Sequence, residues 1–360
     1  MTNSSANVRS ADSGLTKSEH RFPWKWNLAD LKDVPQNGKT VFSCFSCGGG
    51  SSMGYKLAGY HMVGCCEIDP RMMEIYKANL HPEHPFCMDV RDFLKVEDLP
   101  EELFSLDILD GSPPCSVFSM AGDREDGWNK EKVFREGQAK QKLDDLFFHF
   151  IAIAKRLQPK VVIAENVSGL IKGNAKGYVN EIFKAFQEAG YVPQLFLLNS
   201  AFMGVPQRRE RTVFVARRKD LILPKLSLAF HEAPIYFGEV RSEKGRPVDP
   251  QTQAYKLLQL RRPGDKCMGD INMRWKGKNT GFTVNIVADT DVSCTLTSGG
   301  GMYRDYDAMA FGDMDFVNIQ TFPQDYDFVQ ESPQYVCGMS VPPVMMAQIA
   351  TEVYQQWLKD

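Results

Sequence analysis

LDDLFFHFIAIAKRLQPKVVIAEN, residues 143–166, decides the fold of this chain. Leu143, Leu146, Phe147, Phe150, Ile151, Ala154 and Leu157 recur at helical spacing, so the first two thirds predict a helix with one buried face. KVVIAEN then runs apolar without alternation until Glu165 and Asn166 end it abruptly. An uninterrupted apolar strand is buried on both faces, as in a parallel sheet covered by helices.

The same alternation extends outward. KTVFSCF (39–45) predicts a strand, GGGSSMGYKLAG (48–59) a glycine turn opening a helix, and HMVGCCEID (61–69) a second strand. PRMMEIYKANL (70–80) predicts a helix with Pro70 at its start. SLDILDG (105–111) predicts a strand that ends in a Gly-Ser-Pro-Pro turn. A helix over 176–190 and the strands YVPQLFLLN (191–199) and RTVFVARR (211–218) complete the set. Strands alternating with helices imply an α/β fold: a doubly wound, mostly parallel, Rossmann-like sheet that binds ligands outside the carboxyl ends of its strands.

After Arg218 the alternation stops. Residues 219–330 predict a second, smaller, irregular and β-rich domain, and VPPVMMAQIATEVYQQWL (341–358) an amphipathic helix returning to the first. The domains are therefore expected at 39–218 plus 331–360 and at 219–330, after a partly disordered extension over 1–38 in which Trp24 and Trp26 mark a docked segment. Charge within the second domain is uneven. Residues 219–280 hold twelve Lys and Arg against seven Asp and Glu, whereas 281–330 hold one Arg against eight Asp.

The composition is that of an ordinary globular protein: 360 residues, 43% hydrophobic and 24% charged, with a formal net charge of −3. That net charge leaves a locally basic cleft open. The odd number of cysteines, nine, is expected as free thiols in a reducing compartment. The Ser/Asn-rich start is no signal peptide, and no run of ~18 apolar residues occurs, so a soluble, cytoplasmic protein is expected. Cys44-x-x-Cys47 looks like half of a zinc site, but no second pair completes it, and no metal is expected.

Six segments carry chemistry. The glycine turn FSCGGGSSMG lies between strand and helix, where backbone amides and the helix dipole suit a polar cofactor tail. Glu67 ends the next strand, where it can accept from ribose hydroxyls, and Asp89 follows the third, within reach of an adenine amino group. Singly, each acid reads as a helix-start residue; in this order with the turn they favour a nucleoside cofactor. In GSPPCSVFS two prolines stiffen the backbone before Cys115, which suits a nucleophile, although the segment taken alone favours an inert buried thiol. Glu165 at the tip of the next strand can share a proton with a ring nitrogen. Arg209 and Arg211 in QRRER alternate onto one face and point at the same site, unless the run is merely solvated surface.

GSPPCS, ENV, QRRER, IQTFP and GMSVPP, in this order and spacing, resemble the cytosine-C5 DNA methyltransferase family of bacterial and phage type. The resemblance runs from Val41 to Trp357 and leaves out 219–290. It implies S-adenosylmethionine as cofactor and methyl transfer to C5 of a flipped-out cytosine through a covalent bond from Cys115 to C6. Glu165 would hold N3 and the exocyclic amine, and Arg211, helped by Arg209, would hold O2. Phe45, Ser46, Cys47, Gly49, Gly50, Glu67, Ile68, Asp89, Val90, Pro114, Leu146 and Ser340 would line the cofactor site. The segment 119–140 is then the loop that closes over the base, with Ser119 on DNA, and the second domain would recognise the target. There Arg261, Arg262, Arg274, Lys276 and Lys278 would meet phosphates. The implied partner is double-stranded DNA, with a cognate restriction endonuclease as an optional companion to a monomeric, nucleoid-associated enzyme.

Three segments depart from the family pattern. Ser43 stands where the family usually has Asp and Cys47 where it has the first Gly; Ile68 replaces a cofactor-stacking tryptophan; and Gly-Asn-x-Val is here Gly338-Met339-Ser340-Val341. Rival readings are a tRNA cytosine methyltransferase, whose usual Cys-Phe-Thr element is missing, and a catalytically dead binding module, against which Cys115, Glu165 and Arg211 speak. A nicotinamide oxidoreductase needs a G-x-G-x-x-G turn that Gly48, Gly49 and Gly50 do not form.

Overall fold

A computed structural model of the protein describes residues 20–114, 145–171, 176–278 and 284–359. The strands are β1 Thr40–Cys44, β2 His61–Glu67, β3 His84–Cys87, β4 Ile108–Gly111, β5 Val161–Val167, β6 Tyr191–Asn199, β7 Gln207–Arg208 and β8 Glu210–Arg218. All but β7 form one sheet in the order β3-β2-β1-β4-β5-β8-β6. The first five pair in parallel, while β8 runs antiparallel between β5 and β6. The order reverses at β1, whose neighbours are β2 and β4, and this is where such a sheet opens a crevice for a ligand.

Alternate residues of each strand feed two cores. Phe42, Leu109, Val162 and Phe214 face α3 (Val90–Phe93), α4 (Leu146–Leu157) and α5 (Lys176–Glu188). Val41, Ile108, Val161, Ile163 and Val215 face the other side, with residues of α1 (Gly50–Leu57) and of α11 (Pro343–Val353), the returning helix. Leu146, Phe147, Phe150, Ile151, Ala154 and Leu157 are all buried, as their spacing requires; Leu143 lies outside the described residues. The helix α2 (Pro70–Leu80) starts with Asp69 accepting the Arg71 amide at 2.9 Å and with Pro70 in its first turn.

The region after Arg218 holds the expected short strands, β9 Asn285–Val287, β10 Ser293–Cys294 and β11 Met302–Arg304. It also holds four short helices, which take up more residues than the strands: α6 Phe237–Val240, α7 Gln253–Leu258, α8 Met268–Lys276 and α9 Asp313–Gln320. A small core of its own contains Leu257, Leu258, Met268, Ile271 and Ile286. The rest of the region shares a core with the sheet domain: Phe237, Leu296, Phe311 and Phe316 pack in one cluster with Met72, Ile75 and Tyr76 of α2. Trp26 joins that cluster and donates its indole N–H to the Thr321 carbonyl at 2.9 Å, so the segment before β1 is docked as its two tryptophans suggested. α10 (Pro333–Met339) leads back to α11.

Candidate active site

A cavity of about 340 Å³ opens at the carboxyl ends of β1, β2, β4 and β5. At one end Glu67, Asp69 and Asp89 bring carboxylates to walls made by Phe45, Ile68, Val90 and Leu146. The Glu67 carboxylate accepts the Cys47 amide at 2.7 Å and the Asp69 amide at 2.8 Å, which fixes its direction. Its burial raises the Glu67 pKa, and these backbone amides work against the rise. Asp89 caps α3 by accepting the Arg91 amide at 2.8 Å. Phe45 and Cys47 both sit at positive φ, 54° and 47°, a conformation a side chain adopts at a cost of order 1 kcal/mol or more. The Cys47 thiol lies 3.7 Å from the Met72 sulfur, and burial pushes its pKa up to about 12, so it stays protonated at neutral pH.

Not every expected cofactor residue faces this space. Ser46 and Ser340 are buried, and Ser340 Oγ lies 3.9 Å from the Cys47 sulfur, behind the wall. Gly49 and Gly50 are required by packing. A Cβ on Gly49, which has φ of 84°, would come within 2.4 Å of Leu80, and one on Gly50 within 2.3 Å of the Val341 carbonyl.

At the other end of the cavity, Glu165 and Arg211 form an ion pair, Nε to Oε1 at 2.7 Å, on adjacent antiparallel strands. Both line the cavity with Ser112, Pro113 and Pro114, and Pro114 is the last described residue before Cys115. Cys115, Ser119 and the 119–140 loop lie outside the described residues. Asn166 donates its side-chain amide to the Pro113 carbonyl at 3.0 Å, tying the proline turn to the tip of β5. Arg209 reaches the same cavity but is buried, with its guanidinium Nη atoms donating to the carbonyls of Leu296 at 3.3 Å and Gly338 at 3.4 Å. Burial, then the Arg211 charge, pull its pKa down to about 9, which leaves it charged at neutral pH.

Residues 40–355 match the family described as C-5 cytosine-specific DNA methylase. The chain belongs to this family. It is 27% identical to Type II methyltransferase M1.HphI of Haemophilus parahaemolyticus over 87% of this chain and 86% of that one. Type II methyltransferase M.Eco47II of Escherichia coli is 32% identical over 86% of this chain and 76% of its own. A structure described as a DNA modification methyltransferase encoded within an E. coli prophage has a TM-score of 0.63 at 19% identity, covering 90% of this chain and all of the other, 100%. That likeness speaks for the fold.

Sequence reading missed several groups of this DNA methylase. Cys66, Met72, Met88 and Tyr335 complete the cavity wall beside Met339 of the GMSVPP segment, and their apolar side chains carry no chemical signal of their own. Asp110 on β4 is 1% exposed and accepts three hydroxyls, from Ser43, Ser51 and Tyr55. Burial is the largest influence on it and pushes its pKa up to about 6, against the lowering effect of the hydroxyls. Since the folded value exceeds the unfolded one of about 4, its stabilising contribution is complete below pH ~4 and lost as pH rises through about 6, on the order of 3 kcal/mol. Urea midpoints of the parent should therefore fall relative to those of Asp110→Asn between pH 4 and 7; parallel profiles would refute this assignment.

Four of the twelve basic residues of 219–280 form ion pairs within the region. Arg261 pairs with Asp305 at 3.1 Å, Arg274 with Asp265 at 2.5 Å, Arg241 with Asp289 at 3.0 Å and Lys266 with Asp291 at 3.0 Å. The buried Arg304 is held by Asp315 at 2.6 Å. Three of these pairs, Arg241–Asp289, Arg261–Asp305 and Lys266–Asp291, join the basic stretch to the acidic one that follows it. Arg262, Lys276 and Lys278 stay exposed at or beyond the ends of short helices, Lys276 lying 4.7 Å over the Trp275 ring.

Proposed function

We propose that the protein methylates C5 of a flipped-out cytosine in double-stranded DNA, with S-adenosylmethionine as donor and Cys115 as covalent nucleophile. One observation carries the reading: the Glu165–Arg211 pair and the turn leading to Cys115 share one cavity with the Glu67 and Asp89 carboxylates. Apolar walls suited to an adenine ring, with carboxylates suited to ribose hydroxyls and an exocyclic amine, fit this nucleoside cofactor. Bound there, S-adenosylmethionine supplies a methyl group on a positively charged sulfur.

The chain's own residues make the cytosine reactive. The Cys115 thiolate adds to C6, and the displaced π electrons make C5 nucleophilic. Glu165 shares a proton with N3 and accepts from the exocyclic amine, so the added charge is neutralised as it develops. Arg211 holds its charge against Glu165 in an ion pair and donates one Nη to the Glu210 carbonyl, which leaves the other Nη for O2 of the base. After methylation the C5 proton leaves, the C5–C6 double bond reforms and Cys115 is expelled. Arg209, with both Nη atoms on main-chain carbonyls, contributes charge and rigidity at this end. Residues 219–330 recognise the target, and the enzyme acts as a monomer.

Bisulfite sequencing of DNA from cells expressing the protein should reveal a protected cytosine in one short recurring sequence. Labelled methyl appearing in tRNA and not in duplex DNA would overturn the substrate assignment. Within the recognition region, Lys276→Ala with Lys278→Ala should flatten the dependence of log affinity on log salt by roughly 2, about one counterion per lost phosphate contact. Arg274→Ala should instead lower the melting temperature, because it strips Asp265 of its partner. Fluorescence anisotropy across a salt series reads the slope; an unchanged slope in the double variant would remove both lysines from the DNA interface.

A further inference from the structure

The sheet face beneath α1 is apolar at Val41, Ile108, Val161 and Ile163, yet one carboxyl group interrupts it. Asp110 Oδ2 accepts from Ser43 Oγ at 2.8 Å and from Ser51 Oγ at 2.7 Å, while Oδ1 accepts from Tyr55 Oη at 3.1 Å. Every donor and the acceptor are buried. A leucine at this position would fill space without the desolvation cost of a carboxylate, so packing alone does not account for the group. The geometry accounts for it better. Ser43 is the register partner of Asp110 across the β1–β4 pair, and Ser51 and Tyr55 belong to α1. From Ser43 the chain runs into Phe45 and Cys47, from Asp110 into Ser112, Pro113 and Pro114, and all five line the cavity. One carboxyl group thus clamps the helix that closes the glycine turn to the strand that leads to the nucleophile.

We propose that Asp110 is a positioning residue for the cofactor turn, holding α1 and β1 in register with β4 through the Ser43, Ser51 and Tyr55 hydroxyls. The proposal rests on the reading of this cavity as a cofactor site. Its content is geometric: the carboxyl must sit between β1, β4 and α1, and it serves from either strand of the Ser43–Asp110 register pair.

The test measures the dissociation constant of S-adenosylhomocysteine by calorimetry on DNA-free protein, and KM against kcat for S-adenosylmethionine. Asp110→Asn should weaken binding at least about tenfold and raise KM in proportion, with kcat at saturating cofactor changing less than about threefold. The swap Ser43→Asp with Asp110→Ser, which returns one carboxyl group and three hydroxyls to the cluster, should restore binding to within about threefold of the parent. Parent-like binding by Asp110→Asn overturns the proposal. So does a swap that folds but binds as weakly as Asp110→Asn, or one that does not fold, because the carboxyl is required to work from either strand. Failure of the parent itself to bind S-adenosylhomocysteine overturns the cofactor reading instead.

Discussion

Cys115→Ser should bind duplex DNA and S-adenosylhomocysteine as the parent does, yet lose methyl transfer by at least about four orders of magnitude. A thiolate attacks C6 because a thiol with a pKa near 8.5 is partly ionised when cations stand nearby, whereas a serine hydroxyl is not. Arg209 and Arg211 bring two guanidinium groups to the cavity lined by Ser112, Pro113 and Pro114, the residues before Cys115. Conversely, the parent should form a covalent complex with duplex DNA carrying 5-fluorocytosine, which survives denaturing electrophoresis because fluorine cannot leave C5 as a proton does. Normal turnover by Cys115→Ser, or no adduct with a duplex the parent methylates, would sink the nucleophile assignment.

Glu165→Gln is expected to lower kcat about 10³-fold while leaving cofactor affinity within about twofold. Glutamine retains the shape and an acceptor for Arg211, so the fold should survive. What it lacks is a proton that can be shared with N3 as charge builds on the ring. Arg211→Ala differs in kind: it leaves the Glu165 side chain, about 10% exposed, without the partner now 2.7 Å away, and should cost roughly 3 kcal/mol or more of stability in addition to activity. Single-turnover rates combined with thermal melts separate the two. A Glu165→Gln enzyme within threefold of the parent would show that the carboxyl only braces Arg211.

How much of this was legible in the sequence follows from the range over which each signal acts. The strand KVVIAEN and the helix before it announce themselves because burial on a periodic element writes a local pattern. Glu67, Asp89, Glu165 and Arg211 were readable because each ends an apolar strand or abuts one, and the fold carries such ends to one cavity. Asp110 was not. Its partners lie 67, 59 and 55 residues away, and within LDILDG nothing distinguishes it from a surface acid. Likewise a count of charges along the chain cannot register that Asp305 and Asp265 pair with Arg261 and Arg274 in space. The helices after Arg218 are too short to show a period: α7 has six residues and α8 nine.

The core shared by α2, α6 and α9 sets a limit on how far residues 219–330 can be exchanged. Phe237, Phe311 and Phe316 are as much part of the catalytic body as Ile75 or Tyr76, so exchanging all of 219–330 for a foreign sequence would tear out a wall of the host. The cluster built on Leu257, Leu258, Met268, Ile271 and Ile286, with Val248 and Ala308 at its margins, is self-contained by comparison. Changes confined to α7 and α8 would therefore leave the shared wall intact, whereas Val287, Leu296 and Met302 belong to it although they too lie between residues 248 and 308.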